Sequence, residues 1–140
     1  MVKGITVTEH ILSRQKERPE ATGAFTAMLA ELIVAAKIIA QKVNRANLTE
    51  DFGLTGSESI DDEHFQKLVD FADSTIKNRV SLVGHLWCMA SKNKTDLIRV
   101  PAKYSKGSYI LVFDPLGSIT NIDAHVFCSC VFLYFSVFVV

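Results

Sequence analysis

A chain of 140 residues is the size of one domain and can bury about 68–70% of its unfolded surface, enough for a real core. Hydrophobic residues make up 49% and charged residues 21%, which excludes an intrinsically disordered chain. Lys plus Arg and Asp plus Glu both number 15, so no net field recruits nucleic acid or an anionic membrane, and none opposes self-association.

The opening stretch, MVKGITVTEHILSRQ, has no apolar run of the kind a secretion signal needs. The three cysteines, Cys88, Cys128 and Cys130, are an odd set and not a secreted disulfide framework, so a cytoplasmic setting is expected. Thr8 stands where it can cap a first helix over residues 9–16. Arg18-Pro19 breaks that helix, because the residue before proline is driven out of the helical region. A long helix follows, with Phe25, Met28, Leu29, Leu32, Ile33, Ala36, Ile39, Ala40 and Val43 at helical spacing on one apolar stripe. Thr22 or Gly23 stands at its N-terminal end. Residues 47–59, with Gly53, Gly56 and Ser57, read as a loop. A third helix is expected over 62–80, with Asp61 and Asp62 where negative charge suits the helix dipole.

The pattern turns strand-like over 82–89, and Trp87 and Met89 read as core. Ser91-Lys92-Asn93-Lys94 is a polar turn, 97–100 a short strand ended by Pro101, and Ser105-Lys106-Gly107-Ser108 a second turn. The continuous apolar run YILVF over 109–113 reads as a central strand, closed by the turn Asp114-Pro115-Leu116-Gly117-Ser118. Residues 126–140, VFCSCVFLYFSVFVV, carry no charge. They fall short of the roughly 18 apolar residues of a membrane helix and are rich in the Val, Phe and Tyr of buried strands. No polar turn follows them, so the domain over 1–140 is expected to be truncated at its C-terminus. Helices first and strands later, without regular alternation, give an α+β class.

Four segments carry a family pattern, in order. Pro19-Glu20-Ala21-Thr22-Gly23 leads into the long helix. Gln66-Lys67-Leu68 opens a stretch like K-L-D-x-x-A-N-D. Met89-Ala90-Ser91 stands where two glutamates would follow. Phe113-Asp114-Pro115-Leu116-Gly117-Ser118-Ile119-Thr120-Asn121-Ile122-Asp123 is like F-D-P-L-D-G-S-S-N-I-D, the most specific of the four. Over residues 6–123 the chain resembles the N-terminal part of class 1 fructose-1,6-bisphosphatases, within the inositol monophosphatase-like phosphatases. The resemblance implies an incomplete portion of the layered sugar-phosphatase fold and a Mg²⁺-dependent hydrolysis of fructose 1,6-bisphosphate to fructose 6-phosphate and phosphate, a step of gluconeogenesis. It implies a sugar phosphate and AMP as ligands. That chemistry needs several carboxylates converging on one phosphate, because Mg²⁺ takes oxygen ligands and activates the attacking water.

The chain departs from the pattern at most of these positions. Lys92 and Asn93 replace the two glutamates, putting a positive charge where cations would sit. Val69 replaces the aspartate of K-L-D, and Asp70 follows one residue late, about 100° around the helix, so it is expected to point away from the site. Ser74, with Asp73 just before it, stands at the position that helps activate water. Asp114 is kept and the Leu116 carbonyl is available as a metal ligand, but Gly117, Ser118 and Ile119 replace the aspartate, glycine and serine of the turn. Asp114 has two readings, a surviving ligand or a turn-forming aspartate before proline. Thr22, Gly23, Thr26 and Tyr109 match positions of the family's AMP site, where the nucleotide phosphate meets a helix N-terminus. Ala24 and Ser108 depart from it, Lys106 is out of register, and Thr22 and Gly23 also serve as a plain helix cap. His10, His64, His85 and His125 have no ligand spacing. The chain is thus expected to be an inactive relative that self-associates through its apolar tail. A non-catalytic AMP-binding or subunit-interaction module is the alternative.

Overall fold

The computed structural model describes residues 4–17, 23–46, 62–117 and 131–136. Helix α1 (Val7–Gln15) starts earlier than a Thr8 cap would place it, because Thr6 and not Thr8 is its N-cap. The Thr6 hydroxyl accepts from the Glu9 N–H at 3.1 Å while the Glu9 carboxylate accepts from the Thr6 N–H at 2.8 Å, a reciprocal capping box. Those bonds hold the Glu9 carboxyl below its ordinary range, the backbone N–H of Thr6 first and its hydroxyl second.

Gly23 adopts φ 77 just before helix α2 (Ala24–Ala46), a left-handed conformation suited to glycine. The buried face of α2 is Met28, Leu32, Ala35 and Ile39, spaced by four, three and four residues as one helical stripe requires. The stripe is rotated from the expected one: Phe25 and Ala40 are exposed and Ala35 takes an inner place. By length and composition alone α2 is long and apolar enough to cross a membrane. Here it lies against helix α3 (Asp62–Ser81), and Glu31 of α2 pairs with Arg79 of α3 at 2.6 Å. Leu68, Val69, Ala72, Ile76 and Val80 form the buried face of α3.

Four strands follow: β1 (Leu86–Ser91), β2 (Ile98–Arg99), β3 (Tyr109–Asp114) and β4 (Val131–Ser136). They form one sheet in the order β2-β1-β3-β4, with β1 and β3 parallel and the other pairs antiparallel. The YILVF run is therefore an interior strand, as expected. The strand expected from residue 82 begins four residues later, since the chain first turns through Gly84 at φ 68. Met89 pairs with Leu111 and Ser91 with Phe113, and all four are buried toward the helices. Trp87 does not join the core as its composition suggested. The register of β1 against β3 slips between Leu86 and Cys88, and Trp87 is left 52% exposed; such a bulge re-aims a side chain. Burial pushes the Cys88 thiol up. At the mouth of the parallel pair, the Gly107 N–H donates to the Leu86 carbonyl and the Tyr109 N–H to the His85 carbonyl, at 3.0 and 3.1 Å. A Cβ on Gly107 would run into the His85 backbone, so only glycine lets the chain enter β3 this closely. The 47–59 loop, Cys128 and Cys130 lie outside the described residues.

Candidate functional site

Because β1 and β3 run parallel, their C-terminal ends lie side by side, where sheets of this kind leave a crevice for chemistry. The ladder continues one residue past β1, with the Lys92 N–H donating to the Phe113 carbonyl at 3.0 Å. That bond sets Lys92 beside Asp114, the last residue of β3. Its Nζ lies 2.8 Å from Asp114 Oδ2. On α3, Asp70 and Asp73 share a face by their three-residue spacing. Asp73 is 4% exposed, and its Oδ1 accepts the Ser91 hydroxyl at 2.6 Å. The Ser91 oxygen in turn accepts from the Asn93 N–H at 3.3 Å. The Lys94 N–H donates to the Ser91 carbonyl at 3.1 Å, folding the turn back toward α3. Lys94 Nζ then sits 2.8 Å from Asp70 Oδ1 and 3.9 Å from Asp73 Oδ2.

Charge around Asp73 is finely opposed. Burial is the main cause that raises its pKa above the ordinary carboxylate value, while the Ser91 hydroxyl and then the Lys94 charge pull it down, and Asp70 and Asp114 push it up further. The hydrogen bond to Asp70 is the main cause that holds the Lys94 ammonium up. Asp73 Oδ2 and Asp114 Oδ1 are buried with no hydrogen-bond partner. Beside the cluster opens a cavity of about 450 Å³ lined by Asp73, Ser74, Lys77, Lys94 and the residues from Thr95 to Arg99.

The structure brings some sequence candidates together and not others. Asp73 and Asp114 meet the same cluster, one from α3 and one from β3. Ser74 is exposed on the cavity wall and is not bonded to Asp73. Leu116 follows Asp114 by two residues, with its side chain in the core. Asp70 is exposed on α3. Val69 does take the inward place, at 2% exposure, but the three-residue step from Asp73 keeps Asp70 on the rim of the cluster, where Lys94 binds it. Lys94 is the member of this cluster that the sequence did not single out; its only signal was a lysine two places after Lys92 in a turn. Of the nucleotide-site candidates, Gly23 accepts the Ala27 N–H at 2.9 Å as a helix cap. Thr26 lies in the first turn of α2 and Tyr109 opens β3, while Thr22 lies outside the described residues.

Magnesium prefers carboxylates, phosphate and water. Asp70 and Asp114 each hold a lysine ammonium at 2.8 Å, and Asp73 has one at 3.9 Å. Three negative charges against two positive leave a single net negative charge for a dication. Among the described residues no group of three or more His, Cys, Asp or Glu is arranged to hold a metal ion. The magnesium that the resemblance implies does not fit this cluster as it stands.

Comparison with known proteins agrees with the motif pattern. The family model for the N-terminal domain of fructose-1-6-bisphosphatase matches residues 5–139. The class 1 fructose-1,6-bisphosphatase of Oleidesulfovibrio alaskensis is 45% identical over 131 residues, covering 94% of this chain and 39% of that protein. That of Lawsonia intracellularis is 43% identical over 132 residues, with coverage of 94% and 39%. This chain thus spans about two fifths of the length of the curated relatives it matches. The crystal structure of Leishmania major fructose-1,6-bisphosphatase in holo form superimposes with a TM-score of 0.77 at 22% identity, covering 96% of this chain and 39% of that one, a likeness of fold.

Proposed function

The chain belongs to the fructose-1,6-bisphosphatase family, as its N-terminal domain, and from that premise we propose that it is a catalytically impaired member of a cytoplasmic, Mg²⁺-dependent sugar bisphosphatase lineage. The lineage reaction is hydrolysis of fructose 1,6-bisphosphate to fructose 6-phosphate and phosphate. One observation carries the proposal: Lys92 Nζ sits 2.8 Å from Asp114 Oδ2, on the carboxylate that matches the family's metal turn. Hydrolysis of a phosphate monoester is very slow unaided. A metal ion accelerates it by polarising the phosphoryl oxygens and by lowering the pKa of the attacking water. A lysine ammonium supplies charge and three donors, but no coordination sphere in which water is activated.

Phosphate release from fructose 1,6-bisphosphate in the presence of Mg²⁺ tests this reading. The expected rate is that of the blank. Turnover above blank that disappears in Asp114→Asn would overturn it. The alternative, a non-catalytic module that binds AMP at the first turn of α2, is separated by calorimetry with AMP on the unsubstituted chain and on Thr26→Val.

A further inference from the structure

We infer that the ammonium groups of Lys92 and Lys94 are resident cations, which neutralise the Asp70–Asp73–Asp114 cluster in place of a divalent metal and keep such a metal out. This deepens the impaired-phosphatase reading and rests on it for the identity of the cluster. The contacts themselves come from this chain alone: Lys92 on Asp114 at 2.8 Å, Lys94 on Asp70 at 2.8 Å and near Asp73 at 3.9 Å.

Both lysines leave one short turn whose backbone is fixed at three points. The Lys92 N–H is bonded to Phe113, the Lys94 N–H to the Ser91 carbonyl and the Asn93 N–H to the Ser91 hydroxyl oxygen. Each ammonium therefore meets its carboxylate as an intramolecular partner, at an effective concentration that a free ion must exceed. Magnesium also gives up its own water reluctantly. A dication entering the cluster would have to displace an ammonium or sit beside it against like charge. The two buried oxygens without a hydrogen-bond partner, Asp73 Oδ2 and Asp114 Oδ1, belong to carboxylates whose other oxygens are taken by Ser91 and Lys92. With the ammoniums removed, those oxygens and Asp70 are left uncompensated. The cluster then carries carboxylate charge without a resident cation, which draws a hard divalent cation that needs only one or two carboxylates and keeps its remaining waters.

The test uses Mn²⁺ as probe, with its free-ion paramagnetic resonance signal reporting binding and thermal unfolding reporting stability. The unsubstituted chain should leave that signal unchanged at equimolar Mn²⁺ and unfold at the same temperature with or without the ion. The double variant Lys92→Met, Lys94→Met should bind Mn²⁺ at least roughly tenfold more tightly, in the range of effects seen when neighbours of metal ligands are changed. Its unfolding temperature should rise with Mn²⁺, and both gains should disappear when Asp114→Asn is added. If the double variant does not fold, Lys92→Met alone is read in the same way. Binding by the unsubstituted chain that Asp114→Asn abolishes would sink the inference, as would lysine variants that bind no better than the unsubstituted chain. The two readings fail separately. Bisphosphate turnover without Mn²⁺ at the cluster defeats the impaired-phosphatase reading alone, and Mn²⁺ held at the cluster without turnover defeats this one alone.

Discussion

Asp73 carries the most informative titration in the molecule. It is a buried carboxylate held by a serine hydroxyl and a distant ammonium, and burial places its folded pKa above the ordinary 3.8. A carboxyl raised in this way binds protons more readily in the folded state than in the unfolded one. Its contribution to stability therefore falls as pH rises from the ordinary value through the folded one. Asp73→Asn removes the charge and keeps an oxygen for the Ser91 hydroxyl. The stability of Asp73→Asn relative to the unsubstituted chain should accordingly rise with pH across the mildly acidic range and then level off. Urea unfolding of both proteins over that range checks this, and a difference that does not vary with pH would count against a buried, ionised Asp73. The spacing of Asp70 and Asp73 was readable as a shared helical face. That Lys94 bridges them was not, because the bridge joins a helix to a turn across 24 positions of sequence.

At the scale of elements, amphipathic spacing located the long helix α2, cap, proline and charge signals located α1 and α3, and the YILVF run located the inner strand. The boundaries moved where a local bond competed with the pattern. Thr6 took the cap from Thr8 because Glu9 lies three residues after it, which is the spacing a capping box needs. Gly84 delayed β1, and a register slip turned Trp87 outward. The α2–α3 pair is held by the buried stripe that includes Met28, Leu32, Ala72 and Ile76. Ile76 is fully buried, so Ile76→Ala should cost about 2–5 kcal/mol, the transfer of the lost methyl groups plus the cavity they leave. Denaturant unfolding measures it, and a loss well below that range would mean that the helix pair relaxes into the space.

At the scale of the whole molecule, the sheet order among the described residues places β4 at one end, beyond β3. Its six residues, VFLYFS, are uncharged, and the chain as a whole has no net charge to oppose contact. An uncharged edge strand of high β-propensity is a template for another chain. Self-association is therefore the expected solution state. Sedimentation at micromolar concentration should find dimers or larger species. Lysines at Phe132 and Phe135 should shift the population toward monomer, with circular dichroism confirming that the variant stays folded. A single monomeric species for the unsubstituted chain would contradict the role given to β4.

Residue order alone determined the α+β class, the succession of helices and strands, and the family, since hydrophobic period and short motifs are local properties of a chain. Its resemblance to the family pattern also set Lys92 and Asn93 against the two glutamates after Ser91, and Gly117 against the second aspartate of the metal turn. Only the tertiary structure decided which groups Lys92 and its neighbour Lys94 meet. The parallel pairing of β1 with β3 sets Lys92 against Asp114, and the turn after β1 carries Lys94 to Asp70 on α3. Charge neutralisation depends on distances of a few ångströms between elements far apart in sequence, and no local pattern encodes those distances.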